Sequence, residues 1–182
     1  GNGITNPPRA GIVNEGAVRS SVDAAGVATL SAKDTSSIDA LAIGVSASGG
    51  GAVGVALAAN VIANTIETTI NGSTVDTDST LGLASESSAI IRTLAIGVAG
   101  SGGFAVQVTA MGNAITNTVR AGISGGSAVT AAGDVTLSAE DIAPSVIPNW
   151  ALPADKQAEL NESLEDSPIK NFSNTNILAI MV

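Results

Sequence analysis

Leu41-Ala42-Ile43-Gly44-Val45 returns as Leu94-Ala95-Ile96-Gly97-Val98, a spacing of 53 residues (94 − 41). The register holds on both sides. Ser48-Gly49-Gly50 aligns with Ser101-Gly102-Gly103, and Val53 with Val106. Asn60-Val61-Ile62-Ala63-Asn64-Thr65 aligns with Asn113-Ala114-Ile115-Thr116-Asn117-Thr118. A fixed period of this size marks a repeat architecture, in which each unit buries its apolar surface against its neighbours.

The same unit extends outward in both directions. Gly1-Asn2-Gly3-Ile4-Thr5-Asn6 and Arg9-Ala10-Gly11-Ile12 pair with 113–117 and 120–123. The segment 22–34 recurs as 129–141. Leu178-Ala179-Ile180-Met181-Val182 restarts the opening element 84 residues after Leu94, which implies an insertion of about 31 residues (84 − 53). The chain thus divides into β repeat units at 1–143, a proline-rich insertion at 144–176, and the start of another repeat at 177–182. It begins and ends within a repeat, without initiator Met, signal peptide or capping sequence, and reads as a segment of a longer repeat protein.

The alternation has period two, so the repeats predict strands. Leu41, Ile43 and Val45 alternate with Ala40, Ala42, Gly44 and Ser46. Beyond Gly49-Gly50-Gly51, Val53, Val55 and Leu57 alternate with Ala52, Gly54, Ala56 and Ala58. One face is large and aliphatic and the other is Ala and Gly. Neither is polar, so both faces are expected to be covered. Further strands are read at 27–32, 62–70, 106–110, 115–123 and 135–139. Turns are read at 24–26, 71–73, 125–127 and 132–134, with Asn71-Gly72 the sharpest signal.

The expected fold is all-β, a β-solenoid (β-helix) of 53-residue repeats making about two coils each, with one short helical insertion. The alternative is a stack of long antiparallel β-hairpins, with Val45 opposing Val53, Ile43 opposing Val55 and Leu41 opposing Leu57. Short strands punctuated by Gly and Asp at corners, as in 20–34 and 127–141, favour the solenoid. In the insertion, Pro144, Pro148 and Pro153 break the sheet pattern, and 153–164 reads as a short helix. Leu160 and Leu164 share a face there, with Trp150 as an anchor, making a possible presenting loop.

Composition narrows the function. The net charge is −9, and the seven Lys plus Arg form no basic patch, which argues against nucleic acid. It also argues against anionic membranes, and no apolar run is long enough for a spanning helix, so no membrane insertion is expected. There is no His and no Cys, which removes histidine bases, thiol nucleophiles and most transition-metal sites. Abundant Ser and Thr have no base to activate them, so no catalytic residue is assigned. Asp76 and Asp78 would share one side of a strand and could offer oxygen ligands to Ca²⁺. A solvated turn is the competing reading, and no other cofactor is implied. Asn2, Asn60 and Asn113 are equivalent positions, as are Asn6, Asn64 and Asn117. Stacked copies would form asparagine ladders that satisfy buried amides and fix register.

The phrases Val129-Thr130-Ala131-Ala132-Gly133-Asp134-Val135-Thr136-Leu137-Ser138-Ala139 and Asn113-Ala114-Ile115-Thr116-Asn117-Thr118-Val119-Arg120-Ala121 resemble repeats of large bacterial surface proteins. These are the filamentous-haemagglutinin-like and autotransporter-type adhesins of Gram-negative bacteria. The resemblance covers 1–143 and 177–182. It implies an exported, extracellular, elongated stalk or passenger at the cell surface, with a structural or adhesive role. Its partners would be neighbouring copies or repeats of itself and a host or cell-surface ligand. The alternatives are a self-assembling extracellular filament or sheath subunit, and a carbohydrate-active β-helix enzyme. The strand at 178–182 is expected to pair with another molecule, because its hairpin partner is missing from that copy.

Overall fold

The computed structural model describes residues 1–144 and the backbone of 177–181. Every element among them is a strand. The first coil comprises β1 (Asn2–Ile4), β2 (Arg9–Val13), β3 (Ser21–Ala24), β4 (Ala28–Asp34) and β5 (Ser37–Ser48). The second comprises β6 (Gly51–Ile62), β7 (Thr65–Asn71), β8 (Thr74–Thr77), β9 (Leu81–Ser87) and β10 (Ile90–Ser101). The third holds β11 (Phe104–Ile115), β12 (Thr118–Ser124), β13 (Ala128–Ala131), β14 (Val135–Asp141) and β15 (Ile177–Met181).

Each strand pairs in parallel with its equivalent in the next coil, giving five three-stranded sheets: β1-β6-β11, β12-β7-β2, β13-β8-β3, β14-β9-β4 and β15-β10-β5. This is a β-solenoid, and one 53-residue repeat makes one coil of five strands, where the sequence suggested two. The period fixes how long a unit is, not how often it turns. The register is the repeat itself: Leu41 sits beside Leu94, Ile43 beside Ile96, and Asn60 beside Asn113.

Length differences are absorbed at one corner. β1 and β2 lie 58 residues from their partners, whereas β3, β4 and β5 lie 53 away. The five extra residues (58 − 53) fall in the corner between β2 and β3, which projects Val18 into solvent. The corresponding corner of the second coil is only Gly72-Ser73, and Gly72 has φ +61°. Asn71-Gly72 is therefore a turn as read, but one that joins two sides of a coil instead of closing a hairpin.

In cross-section the coil is flattened into two layers. The β4–β9–β14 and β5–β10–β15 sheets form one layer, and the other sheets with long strands form the second. The β8 side closes one end and the Ser48-Gly49-Gly50 and Ser101-Gly102-Gly103 arcs close the other. In the body the layers are held apart by aliphatic rows. Ile70, Val75, Leu81 and Leu83 are buried, with Ile12, Val22, Leu30, Ile123 and Val129 of the neighbouring coils packed against them. A second cluster holds Ile38, Ile62, Ala89 and Ile91. The middle coil is the most buried because it has a neighbour on each side; Ile62, Ile66 and Ile70 are fully inaccessible.

Beyond this cluster the two layers continue as a projecting arm, formed by 41–57 of the first arc and 94–110 of the second. The strands entering and leaving each arc run antiparallel but pair with other coils and not with each other. The hairpin-stack alternative is thereby excluded. The large faces opposing in Val45–Val53 and Leu41–Leu57 do not form the filling of the arm. Gly44, Ala52, Gly54 and Ala56 are buried between the layers, while Leu41 (63% exposed), Ile43 (61%) and Val45 (71%) point outward. The expectation that both faces are covered fails here. A Cβ built on Gly44 would stand 2.6 Å from the Val55 carbonyl oxygen, so only the small face fits between layers this close.

The C-terminal strand brings one correction. β15 pairs with β10 in the same chain and forms the edge of that sheet, its other side without a partner among the described residues. Its register sets Leu178 beside Arg92 and Ile180 beside Leu94, two residues away from the alignment read in the sequence. A slip of two keeps the same face on the same side, which is why a period-two pattern could not detect it. The helix read at 153–164 and the residues Trp150, Leu160 and Leu164 lie outside the described residues.

Candidate functional site

The polar groups inside the coil are arranged in rows along the stacking direction. At the base of the arm, Asn2 Nδ2 donates to Asn60 Oδ1 at 2.9 Å, and Asn60 Nδ2 donates to Asn113 Oδ1 at 2.9 Å. Asn60 Nδ2 also donates to Thr93 Oγ1 at 2.9 Å, and the Thr93 hydroxyl donates to Asn113 Oδ1 at 3.0 Å across the layers. Asn60 is 1% exposed. A buried amide at this depth costs free energy unless bonded, and this one is bonded on three sides. Asn113 Nδ2 is buried with no partner among the described residues.

The Asn6, Asn64 and Asn117 row works differently. Asn6 N–H donates to Asn64 Oδ1 at 2.7 Å, and Asn64 N–H to Asn117 Oδ1 at 2.9 Å. Each side chain therefore caps the backbone of the preceding coil at the break between two strands. Asn64 Nδ2 turns inward to Asp34 Oδ2 and Ser36 Oγ, each at 2.9 Å. Asn117 Nδ2 donates to Ser87 Oγ, and Ser87 stands at the register position of Asp34. The buried Asp34 thus accepts from the Asn64 amide and, at 2.6 Å, from the Ser36 hydroxyl.

Outward-facing charges are also paired along the register. Arg9 and Glu67 (3.5 Å), Lys33 and Glu86 (2.6 Å), and Asp39 and Arg92 are all facing partners in adjacent strands. Arg120 lies on the other side of Glu67 in the same row. The Asp39–Arg92 pair is a two-pronged contact, with the second prong at 3.0 Å. The hydrogen bond from the Arg92 guanidinium, reinforced by its charge, holds the Asp39 carboxyl below the usual carboxylate range against the opposing effect of burial.

Asp76 lies on the outer face of β8, beside Asp23 of the first coil, and Asp78 follows in the corner. Both are exposed. Among the described residues no three His, Cys, Asp or Glu side chains group closely enough to hold a metal ion. A groove of about 310 Å³ opens at the base of the arm, lined by Asn2, Asp39, Leu41, Leu57 and Asn60. Its one acid is already engaged by Arg92.

The largest chemical feature is therefore the arm. No charged residue occurs between Asp39 and Glu67, or between Arg92 and Arg120. Both outer faces are apolar: Leu41, Ile43 and Val45 with Val98 on one, and Val53, Val55, Leu57, Phe104, Val106 and Val108 on the other. Sequence reasoning saw these residues as core. The signal that points outward is Gly44 and Gly97 recurring within the small face, since glycine at equivalent positions marks close backbone approach. Among the described residues no helix is long and apolar enough to cross a membrane. Comparison with protein families, curated proteins and solved structures finds no match for this chain.

Proposed function

We propose that this chain is a structural and adhesive segment of a secreted, elongated bacterial surface repeat protein. The observation that carries the reading is the register: every sheet continues from coil to coil with equivalent residues stacked, and the polar and charged rows all run along that axis. Such rows stabilise a stack and do not converge on a reacting atom. The dimensions of the stack support this reading. A coil advances about 4.8 Å, one interstrand spacing. An α-helix of equal length would reach roughly 80 Å. A chain that uses 53 residues for so small an advance is building perimeter and stiffness, and so surface to present.

Beads carrying the chain should attach to host cells or matrix proteins above the level of blank beads. Equal attachment at micromolar loading would remove the adhesive half of the reading. Turnover of an acidic polysaccharide, abolished by Asp76→Asn or Asp78→Asn, would replace it with the carbohydrate-enzyme alternative.

A further inference from the structure

We propose that the outer face of the arm built by β5 and β10 is a self-recognition surface, occupied by the same face of a second copy of this chain. The inference goes beyond the adhesive reading and does not depend on it.

Three observations select that occupant. The first is repetition. In-register stacking places Leu41 beside Leu94, Ile43 beside Ile96 and Val45 beside Val98. The face is thus three ridges of identical side chains, separated by grooves of roughly 7 Å along the strand. Ridges of identical residues interdigitate with a copy of themselves, as in packed sheets and steric zippers. The second is taper. The ridges shrink from Leu at the base to Val near the tip. A two-fold axis parallel to the ridges, set just beside the Ile43–Ile96 ridge, brings the Leu41 end of one copy over the Val45 end of the other with each ridge seated in a groove, and the gap stays even. The opposite face lacks this order, because Leu57 stacks on Ala110. The third is charge. A molecule of net charge −9 repels its own kind, and the arm is its long uncharged stretch.

The area sets the strength. Two strands across and eight residues along, from Leu41 to Ser48, make a face of roughly 10 by 26 Å. That is about a third of what each partner buries in a stable complex. Pairing of this chain is therefore weak and concentration-dependent, and each further coil adds to it. Lipid is a poorer occupant. Hydrocarbon would have to receive the arm's strand edges with their unpaired backbone groups, whereas a second arm covers the faces and leaves the edges in water.

The chain has no cysteine, so single-cysteine variants report proximity directly. Ile43→Cys should form disulfide-linked dimers at least tenfold faster than Val18→Cys, which is more exposed but sits on the body, and than Val55→Cys on the opposite face. Adding Val45→Lys to Ile43→Cys should bring its rate down to that of Val18→Cys, with the far-ultraviolet circular dichroism unchanged. Equal rates for all three single variants overturn the proposal. So does preferential crosslinking through Val55→Cys. Flotation of the wild-type chain with phosphatidylcholine vesicles, lost in Ile43→Lys and without accelerated Ile43→Cys crosslinking, overturns it in favour of lipid. Because the readout is contact between arms and not adhesion, its failure leaves the bead experiment untouched.

Discussion

Replacing Gly44 with alanine should destabilise the protein, although the same change at an unconstrained glycine usually stabilises. The new Cβ would lie 2.6 Å from Val55 O, 2.8 Å from Val55 C and 3.1 Å from the Ala56 Cβ. Ordinary contact begins near 3.4 Å, so the two layers must part by about 0.8 Å (3.4 − 2.6). The obstacle is backbone, held by the β6–β11 ladder through the pairing of Val55 with Val108, and cannot rotate away as a side chain would. Overpacking of this kind costs about 1–3 kcal/mol. The entropic benefit of removing a glycine from the unfolded chain returns about 0.4–1 kcal/mol. The net expectation is a loss of about 1–2 kcal/mol, read as a lower urea midpoint with unchanged slope. Gly49→Ala is the control, because nothing lies within 4 Å of a Cβ there. It should be neutral or slightly stabilising. Gly97→Ala meets side chains only, those of Gln107 and Thr109, which can rotate away, and should cost less than Gly44→Ala. If Gly44→Ala is as stable as Gly49→Ala, the close approach of the layers is wrong, and with it the reason for the outward aliphatic face.

Asn60→Ala should cost about 3 kcal/mol, since three side-chain bonds worth about 1 kcal/mol each are lost; thermal unfolding measures it. Ile62→Ala, at a fully inaccessible site, should cost about 2–5 kcal/mol, and Leu41→Ala on the exposed ridge well under 1 kcal/mol. The Asp39–Arg92 pair contributes under about 1 kcal/mol, because the Asp39 side chain is 58% exposed. Arg92 holds the folded carboxyl below its unfolded value. That contribution is present above the unfolded pKa and is lost as pH falls through the folded one. The difference in urea midpoint between wild type and Arg92→Met should therefore shrink between pH 5 and pH 2; a constant difference would contradict the assigned cause. Calcium at millimolar concentration should not shift the melting temperature of wild type relative to Asp76→Asn, because among the described residues Asp76 and Asp78 gain no third acidic ligand.

The sequence carried the stacking register of the contiguous repeats, as in Leu41/Leu94 and Asn60/Asn113, because in-register parallel pairing repeats the sequence period in space; beyond the insertion the match at 178–182 misplaced it by two. It could not say whether Val45 and Val53 face each other through hydrogen bonds or through side chains. A hairpin and a two-layer arc leave the same alternation, and differ only in which strand receives the backbone bonds. Nor could it say which face is inside. Size usually decides that, but Gly44 reverses the usual answer, because a thin interior admits only small residues. The rows of asparagine were readable as equivalences. Their partners were not, since Thr93 and Asp34 reach Asn60 and Asn64 from the opposite layer, at separations unrelated to the period.

The two halves of the coil divide the work of specifying the structure. Aliphatic ridges stabilise stacking but tolerate a shift of two residues, since every second position is apolar; β15 takes such a shift relative to its sequence match. Register must therefore be set where a shift is costly. Those places lie in the body and at the arm's base: the Asn60 amides, the Asn64 caps, and the facing pairs Arg9–Glu67, Lys33–Glu86 and Asp39–Arg92. A two-residue slip would break a buried hydrogen bond or separate a facing ion pair, and buried amides left unpaired cost far more than a displaced valine. The arm inherits its register from Asn60, Thr93 and Asn113 at its root. The residues on its outer faces can thereby change without loss of register.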